Sequence, residues 1–341
     1  MVPHNQRLEI TLDLFEGCQH VCAGCMVEKD LGGSLEDVAA LLALLKEMVG
    51  VGYVAYDLGL GPTDAMSARN TETVFSHPLV REMAQMFHQV TIAAIFLERR
   101  LPLFDPMCKW IDEYFPNKAI RFLMPATPQV FLSPRYGKGI NKRLEYVKAK
   151  LKSAYLNEAG FVINCTTETF SDNYEEGLDK SFAIDFSVSK DDILNIPYGR
   201  SKRTDLMTAQ ALKRVSHQIS AYYSTLEGED ERLNNPDICP WTGTMTNLLY
   251  SDGRLYWVPF LKDDCPYLIE EYVVPKPWTM ENVLRVRQES NEASLEFLKD
   301  TACMSCKYLS SCTEKGVTSI MRVLNITDCL VGLEHVTGSN S

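Results

Sequence analysis

The arrangement of the cysteines constrains this chain more than any other feature of its sequence. The 341 residues include 11 cysteines, although a chain of this length can bury a core without covalent or metal cross-links. Two tight groups stand far apart in the sequence, and together they comprise Cys18, Cys22, Cys25, Cys303, Cys306, Cys312 and Cys329. Cytosolic thiols stay reduced, so clustered cysteines indicate metal ligands or catalysis rather than disulfides.

Composition and charge exclude several classes of function. The chain carries 34 basic and 45 acidic residues, a net charge of −11, which disfavours a nucleic-acid-binding protein because phosphate-binding surfaces are basic. The N-terminal ten residues contain no apolar signal core. The longest apolar runs, 38–45 and 90–97, are much shorter than the ~20 residues of a transmembrane helix. We therefore expect a cytoplasmic protein without a membrane segment, with about two domains for its length.

The first cysteine group follows a strand-like segment directly. Residues 7–14 alternate polar and apolar side chains, and Ser34 is placed to cap a helix over 35–48. The spacing between Cys18 and Cys25 is Cys-x3-Cys-x2-Cys. Three thiolates can hold three irons of a cubane cluster and leave the fourth open to a chelating ligand. Zinc would take a fourth protein ligand, and His20 inside the loop offers poor geometry for that role.

This loop after a first strand resembles the signature of the radical S-adenosylmethionine (SAM) superfamily. The resemblance implies that Cys18, Cys22 and Cys25 hold a [4Fe–4S] cluster that binds SAM. Reductive cleavage of SAM would give a 5′-deoxyadenosyl radical that abstracts hydrogen from a substrate, with electrons from a donor such as flavodoxin or ferredoxin. Gly24 departs from the pattern, because the family usually has an aromatic residue there. A zinc-binding loop is the alternative.

Strand-like and helix-like segments alternate through the first 200 residues. Strands are predicted at 7–14, 53–58, 89–97, 119–124, 160–167 and 182–188, with helices between them, among others at 35–48, 78–87 and 141–157. Such alternation predicts an α/β fold with parallel strands and crossover helices. It resembles the partial (β/α)6 TIM-like barrel of the superfamily. Functional groups should then gather at the carboxyl ends of the strands.

The resemblance also implies where SAM is bound. The stretch from Gly59 to Asp64 follows the second strand, where the family contacts the methionine amine of SAM. The usual glutamate is missing, so backbone groups or the side chains of Thr63 or Asp64 would replace it; a plain Gly-Pro turn is the alternative. The SAM-binding set that we predict is Gly24, Gly59, Leu60, Gly61, Thr63, Asp64, Asn164 and Arg200.

The C-terminal cysteines resemble those of a SPASM or Twitch auxiliary domain. A β-hairpin is predicted at 248–251 and 254–260 around Asp252-Gly253, after a linking helix at 203–228. The predicted domains are a barrel (1–205), a linker (206–238) and the auxiliary domain (239–341). Four thiolates would ligate an auxiliary [4Fe–4S] cluster, or a structural zinc in the alternative reading: Cys303, Cys306, Cys312 and Cys329.

Several assignments stay open at this point. Cys239 and Cys265 would ligate a second auxiliary cluster or pack as small hydrophobic side chains, because Val258 and Gly316 occupy two positions where a complete SPASM domain has cysteines. Cys165 is either a hydrogen-atom donor or, like Cys108, a buried core thiol. Four basic residues would meet an anionic group at the barrel mouth or remain solvated: Arg135, Lys138, Arg200 and Lys202.

Three functions follow from this reading. The first is a radical SAM enzyme that oxidises, cross-links or epimerises a ribosomally made peptide. The second is a small-molecule radical SAM dehydrogenase or epimerase in natural-product or cofactor biosynthesis. The third is a structural zinc-binding protein. The SPASM-like C-terminal region favours the first function.

Overall fold

A computed structural model describes thirteen parts of the chain. They are residues 7–17, 34–61, 63–94, 101–126, 149, 155–164, 194–195, 245–258, 270–306, 309–314, 317–323, 325 and 327. The strands are β1 (Arg7–Leu12), β2 (Val54–Leu60), β3 (Gln89–Ala93), β4 (Ala119–Ala126), β5 (Tyr155–Asn164), β6 (Leu194–Asn195), β7 (Met245–Ser251), β8 (Arg254–Val258) and β9 (Val273–Val274). The helices are α1 (Val38–Gly50), α2 (Thr71–Ser76), α3 (Pro78–Met86), α4 (Leu101–Tyr114), α5 (Met280–Phe297), α6 (Leu309–Glu314) and α7 (Val317–Val323).

The strands form one nine-stranded sheet in the order β6-β5-β4-β3-β2-β1-β7-β8-β9. From β6 across to β7 every neighbouring pair is parallel, whereas β8 and β9 are added antiparallel. The helices α1 to α4 connect or follow the first strands, as crossover connections between parallel strands require. The predicted α/β fold is thus observed, and its parallel part is consistent with a partial barrel.

The two faces of this sheet differ in chemistry because successive side chains of a strand point to opposite faces. One face is apolar and joins the buried side of α1 in a continuous core, with Leu8, Ile10, Leu58, Val90 and Ile120 among its members. The other face, here called the polar face, carries five buried polar or charged side chains. They are Glu9, Asp57, Gln89, Thr91 and Arg121.

Several predicted elements are confirmed in place. The Ser34 hydroxyl accepts a hydrogen bond from the Glu36 backbone N–H at 3.1 Å, and a 3-10 turn at Leu35–Asp37 leads into α1. Helix α3 begins at Pro78, whose missing N–H costs nothing at that position. The strands predicted at 53–58 and 119–124 appear as β2 and β4. The strand predicted at 89–97 ends earlier, at Ala93.

The helix predicted at 141–157 is wrong at its C-terminal end, where β5 has already begun. Tyr155 and Leu156 pair with Ala119 and Ile120 of β4, so sheet pairing overrides the local helical pattern. The strand predicted at 160–167 accordingly starts five residues earlier. The strand predicted at 182–188 lies outside the described residues. A short strand, β6, pairs with Ile163 and Asn164.

The predicted hairpin is confirmed as β7 and β8. Asp252 and Gly253 have φ of 55° and 71°, the pair of positive values that a two-residue type I′ turn requires. β7 pairs in parallel with β1 along its length, from Arg7↔Met245 to Leu12↔Tyr250. The hairpin thus belongs to the same sheet as β1, the strand that precedes the first cysteine group in the sequence. The predicted linking helix at 203–228 lies outside the described residues.

The helices α5 to α7 pack through buried hydroxyl groups. Ser290, Ser294 and Ser319 are all fully buried. Ser319 lies 3.0 Å from Ser290 and 3.2 Å from Ser294, between hydroxyl oxygens. These hydrogen bonds join α5 to α7 and satisfy hydroxyls that would otherwise be costly to bury. Among the described residues, no helix is both long and apolar enough to cross a membrane.

Candidate functional site

The candidate site lies at the carboxyl ends of β1 and β2. Residues 13–17 lead from β1 toward Cys18, and Ser34 begins the next described stretch. Cys18, Cys22, Gly24 and Cys25 lie outside the described residues. We call residues 18–33 the first cysteine segment, residues 13–17 its leading flank, and residues 34–37 its trailing flank. The described contacts of the two flanks show where this segment starts and ends.

The leading flank is held by the loop that follows β2. The Asn70 side-chain amide donates to the Leu14 carbonyl at 2.9 Å and accepts from the Glu16 N–H at 2.8 Å. The Arg69 backbone N–H donates to the Glu16 carbonyl at 3.0 Å. Gly17 has a φ of +76°, and a Cβ there would lie 2.9 Å from Arg69 Nε. The positive φ therefore favours glycine directly before Cys18, whereas the contact with Arg69 could be relieved by movement of that side chain.

Asp13 joins the ends of three strands. Its carboxylate is buried and accepts hydrogen bonds from the Thr63 hydroxyl at 2.9 Å and the Ser251 hydroxyl at 3.2 Å. Its backbone N–H donates to the Tyr250 carbonyl at 2.9 Å. Hydrogen bonds of this kind offset the cost of removing a carboxylate from water. The leading flank is thereby fixed to the β2 loop on one side and to β7 on the other.

The predicted Gly59–Asp64 stretch packs tightly against its neighbours. A Cβ on Gly59 would lie 2.6 Å from Thr11 Oγ1, and one on Gly61 would lie 2.6 Å from Ala93 Cβ. Close packing against the neighbouring strands thus favours glycine at both positions, which the sequence alone does not reveal. The side chain of Leu60 is buried in the core, so only its backbone is available to a ligand.

Thr63 and Asp64 both take part in the local structure. The Thr63 hydroxyl gives its hydrogen to Asp13, so toward any other group its oxygen acts as an acceptor. Asp64 Oδ1 accepts from the Met66 N–H at 3.2 Å, and its carbonyl accepts from the N–H groups of Ser67 and Ala68. Asp64 thus caps the turn that follows. The stretch presents acceptors, which are the groups that bind an ammonium ion.

The trailing flank is held from the C-terminal hairpin. The Tyr250 hydroxyl lies 3.0 Å from the Ser34 carbonyl and 3.1 Å from Asp37 Oδ2. Lys276 Nζ forms an ion pair with Asp37 Oδ1 at 2.8 Å. Burial raises the pKa of Tyr250, and the negative charge of Asp37 raises it further. The phenol therefore stays protonated and acts as the donor.

The polar face of the sheet holds a second set of buried polar and charged side chains, beside this site. Asp57 accepts from the Gln89 amide at 2.9 Å and from the Thr91 hydroxyl at 2.8 Å. Arg121, fully buried, forms an ion pair with Asp57 at 3.7 Å. Sequence reasoning missed this group. The signal was a set of polar residues at alternating positions of strands that were otherwise apolar.

Three cysteines of the second group, Cys303, Cys306 and Cys312, lie on or beside short helical turns. The Thr301 hydroxyl accepts from the Cys303 N–H at 3.2 Å, and the Cys306 N–H donates to the Cys303 carbonyl at 2.9 Å. Cys303 is buried, and Cys306 and Cys312 are half-buried. In the described ranges no three His, Cys, Asp or Glu residues are grouped closely enough to hold a metal ion. Cys239, Cys265 and Cys329 lie outside those ranges.

Of the remaining predicted residues, some lie in the described part of the chain and the others lie outside it. Asn164 is the last residue of β5 and pairs with Asn195 of β6, so it lies at the same carboxyl edge as the other strand ends. Cys108 is buried on α4 in the core, as predicted, and the four cysteines that the structure describes form no disulfide. Five further predicted residues lie outside the described part: Arg135, Lys138, Cys165, Arg200 and Lys202.

Solved structures with a similar fold were found. The native structure of anSMEcpe with bound AdoMet matches at a TM-score of 0.50 and 10% identity, covering 94% of this chain and 98% of that one. The anSMEcpe structure with AdoMet and the Cp18Cys peptide matches at 0.51 and 12% identity, with the same coverage. The structure of Streptococcus suis SuiB bound to S-adenosylmethionine matches at a TM-score of 0.49 and 12% identity, covering 97% of this chain and 78% of that one.

No protein-family model matches the chain, and neither does any curated protein. At 10–12% identity the anSMEcpe structures speak for the fold alone. The likeness extends over 94% of this chain. The predicted α/β fold is therefore confirmed in its general form: the chain shares the fold of anSMEcpe, which was solved with bound AdoMet.

Proposed function

We propose that this protein is a radical SAM enzyme. The observation that carries the proposal is the position of the two flanks of the first cysteine segment. This segment leaves the carboxyl end of β1, and its two flanks are hydrogen-bonded to the β2 loop and to β7. Cys18, Cys22 and Cys25 would hold a [4Fe–4S] cluster there, because three thiolates leave one iron open. SAM would lie beside it, against the stretch from Gly59 to Asp64.

The described residues of the 59–64 stretch suit a SAM molecule bound there. The glycines at 59 and 61 bring the backbone of the β2 loop close to its neighbouring strands. Thr63, with its hydrogen given to Asp13, offers an oxygen acceptor to the ammonium group of SAM. When bound, the cluster would supply the electron that cleaves SAM to a radical able to abstract hydrogen. The protein would bind, orient and shield these groups from water.

We propose a peptide as the substrate, with hydrogen abstraction leading to oxidation, cross-linking or epimerisation. Two anSMEcpe structures of the same fold hold a peptide together with AdoMet. The net charge of −11 would favour a basic peptide over an acidic one.

A second cluster is part of this proposal. Cys303, Cys306, Cys312 and Cys329 would ligate an auxiliary [4Fe–4S] cluster, and the three that the structure describes would have to come closer together to hold it. Cys239 and Cys265 are candidates for a further cluster. A fully thiolate-ligated cluster has no open iron, so its role would be electron transfer. An external donor such as flavodoxin or ferredoxin would reduce the first cluster.

The test is anaerobic reconstitution with iron and sulfide, followed by incubation with SAM and dithionite. We expect about eight irons per chain, charge-transfer absorption in the visible range, and 5′-deoxyadenosine detected by mass spectrometry. A variant with Cys18, Cys22 and Cys25 all changed to Ala is the control and should produce none. Stoichiometric zinc without visible absorption, and no 5′-deoxyadenosine, would overturn the proposal.

A further inference from the structure

Tyr250 contacts both flanks of the first cysteine segment, although it lies more than 200 residues away in the sequence. Its backbone carbonyl accepts from the Asp13 N–H at 2.9 Å, on the leading flank. Its hydroxyl lies 3.0 Å from the Ser34 carbonyl and 3.1 Å from Asp37 Oδ2, on the trailing flank. One side chain and its own backbone thus join the two ends of a segment that carries three cysteines.

We infer that Tyr250 is a positioning residue that sets the geometry of the first cysteine segment through its trailing flank. The inference rests on the proposed function, because the segment must hold a cluster for its geometry to matter in catalysis. Tyr250 itself would touch neither cluster nor SAM. It would act through Ser34 and Asp37.

The surroundings of Tyr250 make it rigid. Its side chain is fully buried, and its ring packs edge-on against Trp278 with 5.6 Å between ring centroids. Lys276 lies over the ring of Trp278 and also forms an ion pair with Asp37. The Asp37 carboxylate, which accepts from the phenol, is therefore held on a second side as well. A buried hydroxyl with a charged partner makes a stronger hydrogen bond than a neutral pair does.

The charged groups near the Tyr250 hydroxyl keep it protonated, so that it remains a hydrogen-bond donor. Asp37 and Glu36 both raise the pKa of Tyr250, in addition to the larger effect of burial, and Lys276 stands on the far side of Asp37. The phenol therefore keeps its hydrogen in neutral and moderately alkaline solution. The contact should hold throughout the pH range in which the enzyme is assayed.

A cluster depends on the placement of its ligands. Hydrogen bonding and orientation beyond the ligands change reduction potential and substrate binding at metal centres. Without the phenol, the trailing flank would keep its helix cap at Ser34 but lose its connection to β7. The three thiolates would then sample a wider range of positions relative to the SAM-binding stretch.

The experiment compares Tyr250→Phe with Tyr272→Phe. The first removes the phenol contact and keeps the backbone contact with Asp13. The second removes the hydroxyl of an equally buried tyrosine, whose ring packs edge-on against Trp257 and which directly precedes β9. Amide hydrogen exchange is measured on the protein without added iron. We expect roughly tenfold faster exchange at the start of α1 in Tyr250→Phe and no change there in Tyr272→Phe.

The same two variants are then reconstituted. In Tyr250→Phe we expect wild-type iron content, a broadened electron paramagnetic resonance signal of the reduced SAM-binding cluster, and SAM affinity about tenfold weaker. Faster exchange without these changes would mean that Tyr250 only stabilises α1, which overturns the inference. Unchanged exchange at α1, or the same rise in Tyr272→Phe, would also overturn it.

This design separates the inference from the proposed function. If the wild-type protein binds no cluster, the proposed function fails, and the positioning role fails with it even where the exchange result holds. If Tyr250→Phe does not fold, Asp37→Ala removes the acceptor instead and leaves the hairpin intact. Its expected results are the same, with Lys276→Met as the control for losing the ion pair and the contact with the Trp278 ring.

Discussion

The two cysteine groups are anchored in different ways. The flanks of the first group are fixed by hydrogen bonds that span 50 to more than 200 residues, such as Thr63 to Asp13 and Tyr250 to Ser34. In the second group, Cys303 and Cys306 are placed by hydrogen bonds over two or three residues. The hydrogen bonds of the first group's flanks therefore depend on the assembled sheet, whereas those at Cys303 and Cys306 lie within local helical turns.

This difference suits the two roles that we propose. A cluster that binds SAM must be held in register with the strands that bind the rest of SAM and the substrate. A cluster that transfers electrons needs only its own four ligands and a fixed distance. The serine contacts between α5 and α7 join the two helices that flank Cys303, Cys306 and Cys312 in the sequence.

The largest expected difference comes from single cysteine variants. Cys18→Ala should abolish SAM cleavage, because two remaining thiolates do not hold the SAM-binding cluster. Cys303→Ala should keep SAM cleavage and lose about four irons, because it removes a ligand of the auxiliary cluster only. Iron content and 5′-deoxyadenosine, measured on the same reconstituted samples, check both expectations. Loss of cleavage in both variants would contradict the division into two roles.

The polar face should contribute more to stability than any surface ion pair. Arg121→Met leaves the buried Asp57 carboxylate without its cationic partner, so we expect the free energy of unfolding to fall by about 3–5 kcal/mol. Urea unfolding followed by tryptophan fluorescence measures this change. The double variant Asp57→Leu with Arg121→Met removes both charges and should recover most of the loss. No recovery would mean that Arg121 acts through contacts other than Asp57.

Much of the fold could be predicted from the sequence because its signals are local. Alternating strands, the Ser34 cap and the Asp252-Gly253 turn are each encoded within a few residues, and the structure has them where predicted. The start of β5 at Tyr155 could not be predicted, because the pairing with β4 decides it.

The parallel pairing of β7 with β1 could not be predicted either. The hairpin pattern gives the turn and the two strands, but it does not say which third strand they join. The same limit applies to the site. The cysteine spacing points to the cluster, whereas the roles of Asp13 and Tyr250 arise only when three strand ends meet.

The smallest difference that we predict compares Asn70→Ala with Thr301→Ala. Asn70→Ala removes two hydrogen bonds to the leading flank and should lower stability by about 1–3 kcal/mol. SAM cleavage should slow, with iron content unchanged. Thr301→Ala removes the cap before Cys303, at a cost of about 1 kcal/mol, and should leave SAM cleavage at the wild-type rate. Thermal unfolding and initial rates of 5′-deoxyadenosine formation measure both effects. If SAM cleavage slows equally in the two variants, the long-range hydrogen bonds do not make the first cysteine group more dependent on the sheet than the second.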